Sequence, residues 1–291
     1  MGMQVKILIT GDAGFVGRAF HRYLDGQGHT IVGVDIVNGI DARDFFRTDD
    51  TYFDLVIHLA AVVGGRQMIE GSPLALAVDL AIDAEMFGWA LRTKPGRIVY
   101  FSSSAAYPIV LQEDDRFGSL QEDDIDLYEI GNPDMSYGWA KLTGEMLADH
   151  ARNEGLEVSV FRPFSGYGED QALDYPFPSF ILRGKNRANP FAIWGDGKAV
   201  RDFIHIDDIV EAVFAGIEAG IDVANLCTGR ATSFNELAEL VCLEAGYIPQ
   251  IQHLGDEPVG VQYRVGDPRQ MWEFYTPKIS LEEGIARTFA K

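Results

Sequence analysis

Residues 5–24 restrict the possible folds of this chain more than any other stretch. Val5-Lys6-Ile7-Leu8-Ile9 is a short apolar run rich in β-branched side chains, which reads as a strand of a buried parallel sheet. Gly11-Asp12-Ala13-Gly14-Phe15-Val16-Gly17 follows at once, and Ala19, Phe20, Tyr23 and Leu24 then recur at helical spacing. The glycines permit a tight turn and a close approach of backbone to a pyrophosphate, whose charge favours the helix N-terminus behind them. A second strand, Thr30–Val34, ends in Asp35, eighteen residues beyond Gly17. A carboxylate there accepts hydrogen bonds from both ribose hydroxyls of adenosine and repels a 2′-phosphate. Strand, glycine turn, helix, strand and acid together predict a site for NAD rather than NADP, on a doubly wound parallel α/β (Rossmann) sheet.

Strands and helices go on alternating to about residue 160, as that fold requires. Further strands are expected at Leu55–Leu59, Arg97–Phe101 and Val158–Phe161, and helices at Ala75–Leu91, Tyr137–Asn153 and Ile206–Ile217. Gln112 to Asp134 is acidic and turn-rich and reads as a surface loop. From Gly166 the pattern becomes irregular, with Pro176, Pro178 and Pro190, and predicts a smaller substrate lobe. The expected division assigns 1–165 and a returning 202–228 to the nucleotide lobe, and 166–201 with 229–291 to the substrate lobe. With 291 residues, 47% of them hydrophobic, the chain can bury a large core. No apolar run approaches the roughly 20 residues that span a bilayer. Met1-Gly2-Met3 leads directly into the first strand, so we expect no secretory leader, no myristoyl group and a cytoplasmic enzyme. Cys227 and Cys242 are expected as reduced core residues, with no disulfide and no metal role. The net charge of −20 argues against nucleic acid and anionic membranes as partners. It also makes single arginines informative, because an anionic ligand then needs a local basic pocket.

Tyr137 and Lys141 stand four apart at the start of a predicted helix, with Ser103 thirty-four residues upstream of Tyr137. One helical turn separates them, so phenol and ammonium point from one face. A nearby ammonium stabilises phenolate and lowers the tyrosine pKa, making it a base for a sugar hydroxyl. A serine hydroxyl beside it can hold the substrate oxygen and share the proton. Further marks are Asp41-Ala42, His58-Leu59-Ala60-Ala61, Phe101-Ser102-Ser103-Ser104, Arg162-Pro163-Phe164, Trp194-Gly195-Asp196-Gly197, Arg201-Asp202-Phe203-Ile204-His205-Ile206-Asp207-Asp208 and Arg264-Val265-Gly266-Asp267. In this order, and over nearly its whole length, the chain resembles an extended short-chain dehydrogenase/reductase of the NAD-dependent nucleotide-sugar epimerase/dehydratase family.

The resemblance implies catalytic roles for Ser103, Tyr137 and Lys141, with Lys141 also on the nicotinamide ribose. It implies that Gly11, Gly14, Phe15, Val16, Gly17 and Asp35 hold NAD, with Asp41 and Ala42 at the adenine and Leu59, Ala60, Ala61 and Pro163 along the rest. The implied substrate is a GDP- or UDP-linked sugar, contacted by Ser103 or Ser104, by Ser165, and by Arg201 and Arg264 at its diphosphate. Two guanidiniums suit such a doubly charged linkage. Ser103 lies four residues before Tyr107, the family spacing for the substrate-contacting residue, whereas counting from the other end of the serine run favours Ser104. Ser165 stands where the family usually has Asn, which removes an amide donor. His58 is expected to be structural rather than catalytic, and Asp207 and Asp208 to cap the following helix.

Ala60-Ala61-Val62-Val63-Gly64-Gly65 and Ser103-Ser104-Ala105-Ala106-Tyr107-Pro108 are most similar to the GDP-sugar branch, which uses a Cys two residues before the Tyr-Pro pair and a later Lys or His. Here those places fall at Ala105 and around Tyr175 or Pro176. The Asp-Glu pair of the dehydratases falls on Ser104 and Ala105. These departures leave the redox core, which suffices for 4-epimerisation. Tyr137 removes the C4 hydroxyl proton while hydride passes to NAD, the 4-ketose turns, and hydride returns to the other face. Two alternatives stay open: a nucleotide-sugar reductase or dehydratase drawing an acid or base from Tyr175 or Glu169, and a non-catalytic NAD-binding sensor. A homodimer is implied, through a four-helix bundle using Ala84–Phe87 and the Tyr137 helix.

Overall fold

The computed structural model describes residues 4–64, 71–113, 118–255 and 260–291. Met1–Met3 of the expected leaderless start, Gly65, and residues 114–117 of the expected surface loop lie outside them. The first half of the chain forms β1 (Lys6–Thr10), α1 (Phe15–Leu24), β2 (Thr30–Val34), α2 (Ala42–Thr48), β3 (Leu55–His58), α3 (Ala75–Thr93), β4 (Arg97–Phe101), α4 (Met135–Asn153) and β5 (Val158–Pro163). There follow β6 (Ser165–Tyr167), α5 (Pro176–Lys185), β7 (Phe191–Trp194), β8 (Val200–Arg201), β9 (Phe203–His205), α6 (Ile206–Glu218) and β10 (Val223–Leu226). The last segments are β11 (Thr232–Ser233), α7 (Phe234–Glu244), β12 (Ile251–Leu254), β13 (Tyr263–Arg264), α8 (Arg269–Trp272) and α9 (Leu281–Ala290).

Six strands form one sheet in the order β10-β5-β4-β3-β1-β2. Every pairing within it is parallel. Such a sheet must be covered on both faces, which explains why its strands are mostly apolar rather than alternating. Phe20 of α1 and Ile209, Val210 and Val213 of α6 pack on one face. Phe46 of α2, Met86 and Trp89 of α3 and Ala148 of α4 pack on the other. The chain leaves β1 for β2 on one side and returns to β3 on the other, which makes a switch point between β1 and β3. Ligands of open α/β sheets bind outside the carboxyl ends of the strands at such a point. Gly11, Leu59, Ser102 and Pro163 lie at the carboxyl ends of β1, β3, β4 and β5.

A separate core joins Tyr167 of β6 and Phe177 and Phe180 of α5 to Leu237 and Val241 of α7 and Ile285 of α9. The irregularity expected after Gly166 is therefore corrected: Pro176 and Pro178 open a regular helix. Proline in a first turn sacrifices no helical hydrogen bond, because those N–H groups have no partner in the helix. Met271 and Tyr275, near the C-terminus, pack into the nucleotide-lobe core instead.

The expected surface loop from Gln112 to Asp134 is also corrected in part. Leu120 is 2% exposed and packs with Tyr107, Phe164 and Cys227. Its backbone is stitched to the distant Val265 and Asp267 by bonds of 2.8 and 2.9 Å. An acidic stretch can thus hold one apolar anchor and still read as a loop. Among the described residues, no helix is long and apolar enough to cross a membrane. Cys227 and Cys242 are buried free thiols.

Candidate active site

The glycine turn brings three segments together at backbone distance. Gly11 takes a left-handed φ of +71°, and a Cβ there would lie 2.9 Å from the Ala60 nitrogen. A Cβ on Gly17 would lie 2.4 Å from the Gly11 carbonyl oxygen, so only glycine lets α1 start this close to the turn. Gly14 is the N-cap of α1 and no side chain caps it. The first N–H groups of the helix, at Phe15 and Val16, therefore face outward as an anion site. The Asp35 carboxylate accepts from Ala13 N at 3.1 Å and Val37 N at 2.9 Å, which fixes it against the turn. Leu59 N and Ala60 N both donate to the Thr10 hydroxyl at 3.2 Å, and Pro163 ends β5 beside Leu226. Asp41 caps α2 through Arg43 N and is gripped by the Arg43 guanidinium, whose hydrogen bonds hold its carboxyl below the usual range. Ala42 is buried behind it. An uncapped helix start, close-approach glycines and an anchored carboxylate are features that fit NAD.

At the end of β4 the chain turns through Ser103, whose hydroxyl accepts from Ala105 N at 3.1 Å and lies close enough to Tyr137 to lower its pKa. Ser104, by contrast, is buried in the turn behind it. Tyr137 lies in the first turn of α4 and Lys141 one turn on. The Lys141 ammonium sits 5.8 Å from the centre of the Tyr137 ring and 5.3 Å from that of Tyr100. The sequence leads one to expect a lowered tyrosine pKa here, and the structure reverses it. Burial pushes Tyr137 above its ordinary value, the charges of Asp79 and Asp83 push it further, and the nearby Ser103 hydroxyl only partly offsets them. The charge of Lys141 is directed in part to Asp79, whose ionised form it favours. Tyr137 therefore rests as a phenol.

Asp79 is a site residue that the sequence reading missed. It is 3% exposed, accepts from Val62 N at 2.6 Å, and shares with Tyr137 a small open cleft lined also by Gly64, Ser72 and Leu76. The only signal in the sequence was a lone acid in the apolar run from Ala75 to Ile82. Behind it, Asp83 accepts from Tyr100 at 2.7 Å and pairs with His58 at 3.1 Å, while the other ring nitrogen of His58 lies 2.9 Å from the Thr10 hydroxyl. His58 thus sits within a buried network away from the phenol.

Arg201 and Arg264 are in register on neighbouring parallel strands, β8 and β13. The Arg201 guanidinium lies 5.5 Å from the centre of the Phe234 ring and donates to the Val200 carbonyl. Arg264 donates to Asp134 at 2.7 Å and to Gln112 at 2.5 Å. Ser165 opens β6, its N–H on the Asp202 carbonyl at 2.8 Å. Tyr175 is raised by burial and next by the charge of Tyr137, so the two phenols lie within electrostatic reach of each other. Glu169 lies against His205, 3.7 Å from Nε2.

The expected capping by Asp207 and Asp208 is corrected. His205 occupies the N-cap of α6 and accepts from Asp207 N at 3.2 Å. Asp208 instead holds the C-terminal segment, accepting from Tyr275 at 2.6 Å and from Lys278 N and Ile279 N. A residue already inside the helix cannot cap it. The Arg162 mark proves to be a buried support: it makes three hydrogen bonds to Glu145, and one to the Tyr107 hydroxyl at 3.1 Å, behind the serine turn.

A model of the NAD dependent epimerase/dehydratase family matches residues 7–226. A putative GDP-L-fucose synthase 2 of Oryza sativa subsp. japonica is 30% identical over 97% of this chain and 85% of that protein. Among solved structures, MoeE5 in complex with UDP-glucuronic acid and NAD is 28% identical, with a TM-score of 0.81 over 98% of both chains. A UDP-glucose 4-epimerase of Thermotoga maritima with UDP-glucose shares the fold, with a TM-score of 0.84 over 98% of this chain and 97% of that one at 24% identity.

Proposed function

This chain belongs to the NAD dependent epimerase/dehydratase family, and on that premise we propose that it epimerises a nucleotide-diphosphate sugar at C4. Its cofactor is NAD, which when bound takes a hydride from a sugar carbon and can give it back. Ser103 holds the C4 oxygen by its hydroxyl. Tyr137, after releasing its own phenol proton to solvent, takes the proton of that hydroxyl as the carbon is oxidised and returns a proton to the same oxygen when it is reduced. Lys141, one turn along the same face, steadies the phenolate form while it lasts. Arg201 and Arg264 grip the diphosphate. The observation that carries this reading is the convergence of Ser103, Tyr137 and Lys141, with the Lys141 ammonium 5.8 Å from the centre of the Tyr137 ring, in a site where Ala105 offers no proton beside it.

A second reading, net reduction of a nucleotide 4-ketosugar, is favoured by one feature. Tyr137 rests in its phenol form, which is the form that donates a proton to a ketone. One experiment separates the two. Purified protein is incubated with UDP- and GDP-sugars in deuterated water, first without added cofactor and then with NADH and the 4-ketosugars. A C4 epimer free of deuterium and made without NADH supports epimerisation. Conversion that consumes NADH in step with product makes the protein a reductase. Deuterium at C3 or C5, or loss of water, overturns both readings.

A further inference from the structure

Asp134 is the N-cap of α4, three residues before Tyr137, yet its carboxylate does not cap the helix. An aspartate in this place ordinarily accepts from the free N–H groups of the first turn. Here it pairs with Arg264 of β13 at 2.7 Å, the two side chains 8% and 12% exposed. The Arg264 Nε donates to Gln112, which is fully buried and donates in turn to the carbonyls of Tyr107 and Pro108 at 3.1 and 3.2 Å. One guanidinium thus joins the head of the Tyr137 helix to the segment that follows the Ser103 turn.

The helix head is docked on that turn as well. Asp134 N donates to the Ala105 carbonyl at 2.9 Å, and a Cβ at Gly138 would lie 2.3 Å from the same oxygen. Between them Met135 takes a φ of +58°, a left-handed backbone that a methionine keeps only where its surroundings hold it. The Arg264 pair and the Ala105 bond grip the residue immediately before it.

We propose that Asp134 is a positioning residue that couples the grip of Arg264 on the substrate's diphosphate to the placement of Tyr137 against Ser103. The coupling rests on the reading of Arg264 as a diphosphate ligand. The diphosphate and Asp134 compete for one guanidinium, so the charge that draws Arg264 toward the substrate slackens its hold on the head of α4. The strained turn at Met135 then resettles, and the phenol is set only when a diphosphate is in place.

Amide hydrogen exchange from Tyr137 to Lys141 tests this, measured with and without UDP, GDP and dTDP, together with calorimetric affinities. In the unaltered protein, the diphosphate that binds should change exchange in this turn several-fold. In Asp134→Asn the same diphosphate should bind several-fold more tightly, a competing charge being gone, and exchange should no longer respond. A merely structural Asp134 would give weaker or equal binding. The proposal is overturned if a bound diphosphate leaves this turn unchanged, or if Asp134→Asn responds as the unaltered protein does. Should Asp134→Asn not fold, Arg264→Lys decides, because coupling through the guanidinium requires that a saturating diphosphate no longer alters the turn. If none of the three diphosphates binds the unaltered protein, the functional reading itself fails and takes this inference with it.

Discussion

In an unfolded chain the Asp79 carboxyl ionises near pH 4; in the fold, burial pushes it up to about 6, with Asp83 adding to the rise and Val62 N and Lys141 opposing it. Between those pH values the folded state holds a proton that the unfolded state has lost, so stability falls as pH rises through the window. The full penalty, about 2–3 kcal/mol, applies above pH 6. Asp79→Asn keeps the shape and an acceptor for Val62 N but cannot ionise. Urea unfolding should show the variant more stable than the parent by about 1–3 kcal/mol at pH 7.5, and by much less at pH 4.5. Because the Asp79 charge also raises Tyr137, the rise of activity with pH should move to lower pH in the same variant. An unmoved profile would show that Asp79 does not act on the phenol. Asp79 also marks where reading the sequence ends at this scale. The Tyr137–Lys141 spacing was plain, while an acid 58 positions before Tyr137 could be linked to it only by packing.

Elements were readable where a period repeats. Strands β1 to β5 and the helices α3, α4 and α6 fall within a few residues of their expected limits, because burial on one face or both writes itself into apolar spacing, whereas β10 at the sheet edge was not expected. Elements set by a single anchor were not readable: Leu120 fastens its loop by contacts to Phe164 and Cys227, and Pro176 opens a helix that composition made irregular. Arg162 belongs to this scale, since it ties β5 to α4 through Glu145 and to the serine turn through Tyr107. Ser102 also donates to Glu145, so the pair is fully hydrogen-bonded inside the protein. Arg162→Met should cost about 3–5 kcal/mol, because it leaves a buried carboxylate without its partner. Adding Glu145→Leu should restore much of that loss in urea unfolding. Equal destabilisation by the single and double variants would mean that the site depends on shape and not on the charge pair.

At the scale of the whole molecule, the carboxyl ends of β1, β3, β4 and β5 meet beside the switch point of one sheet, so a ligand bound there should be felt as global stability. NAD at a hundredfold excess over its dissociation constant should add about 2.7 kcal/mol to unfolding. NADP at the same concentration should add little, because Asp35 is fixed by Ala13 and Val37 where a 2′-phosphate would lie. Equal shifts of the melting temperature by the two would refute the role given to Asp35. The sequence by itself determined the parallel α/β sheet, the glycine turn, the family and the one-turn spacing of phenol and ammonium. Each strand, helix, turn and family mark is written by residues close together along the chain, through backbone sterics and the periods of helix and strand, and the order of the marks does the rest. The tertiary structure alone decided that Tyr137 rests protonated, that Asp79 stands beside it, and that Arg264 holds Asp134 from 130 residues away. These outcomes depend on how much water is excluded and on which distant charges are brought within a few ångströms, and neither quantity exists until the chain has packed.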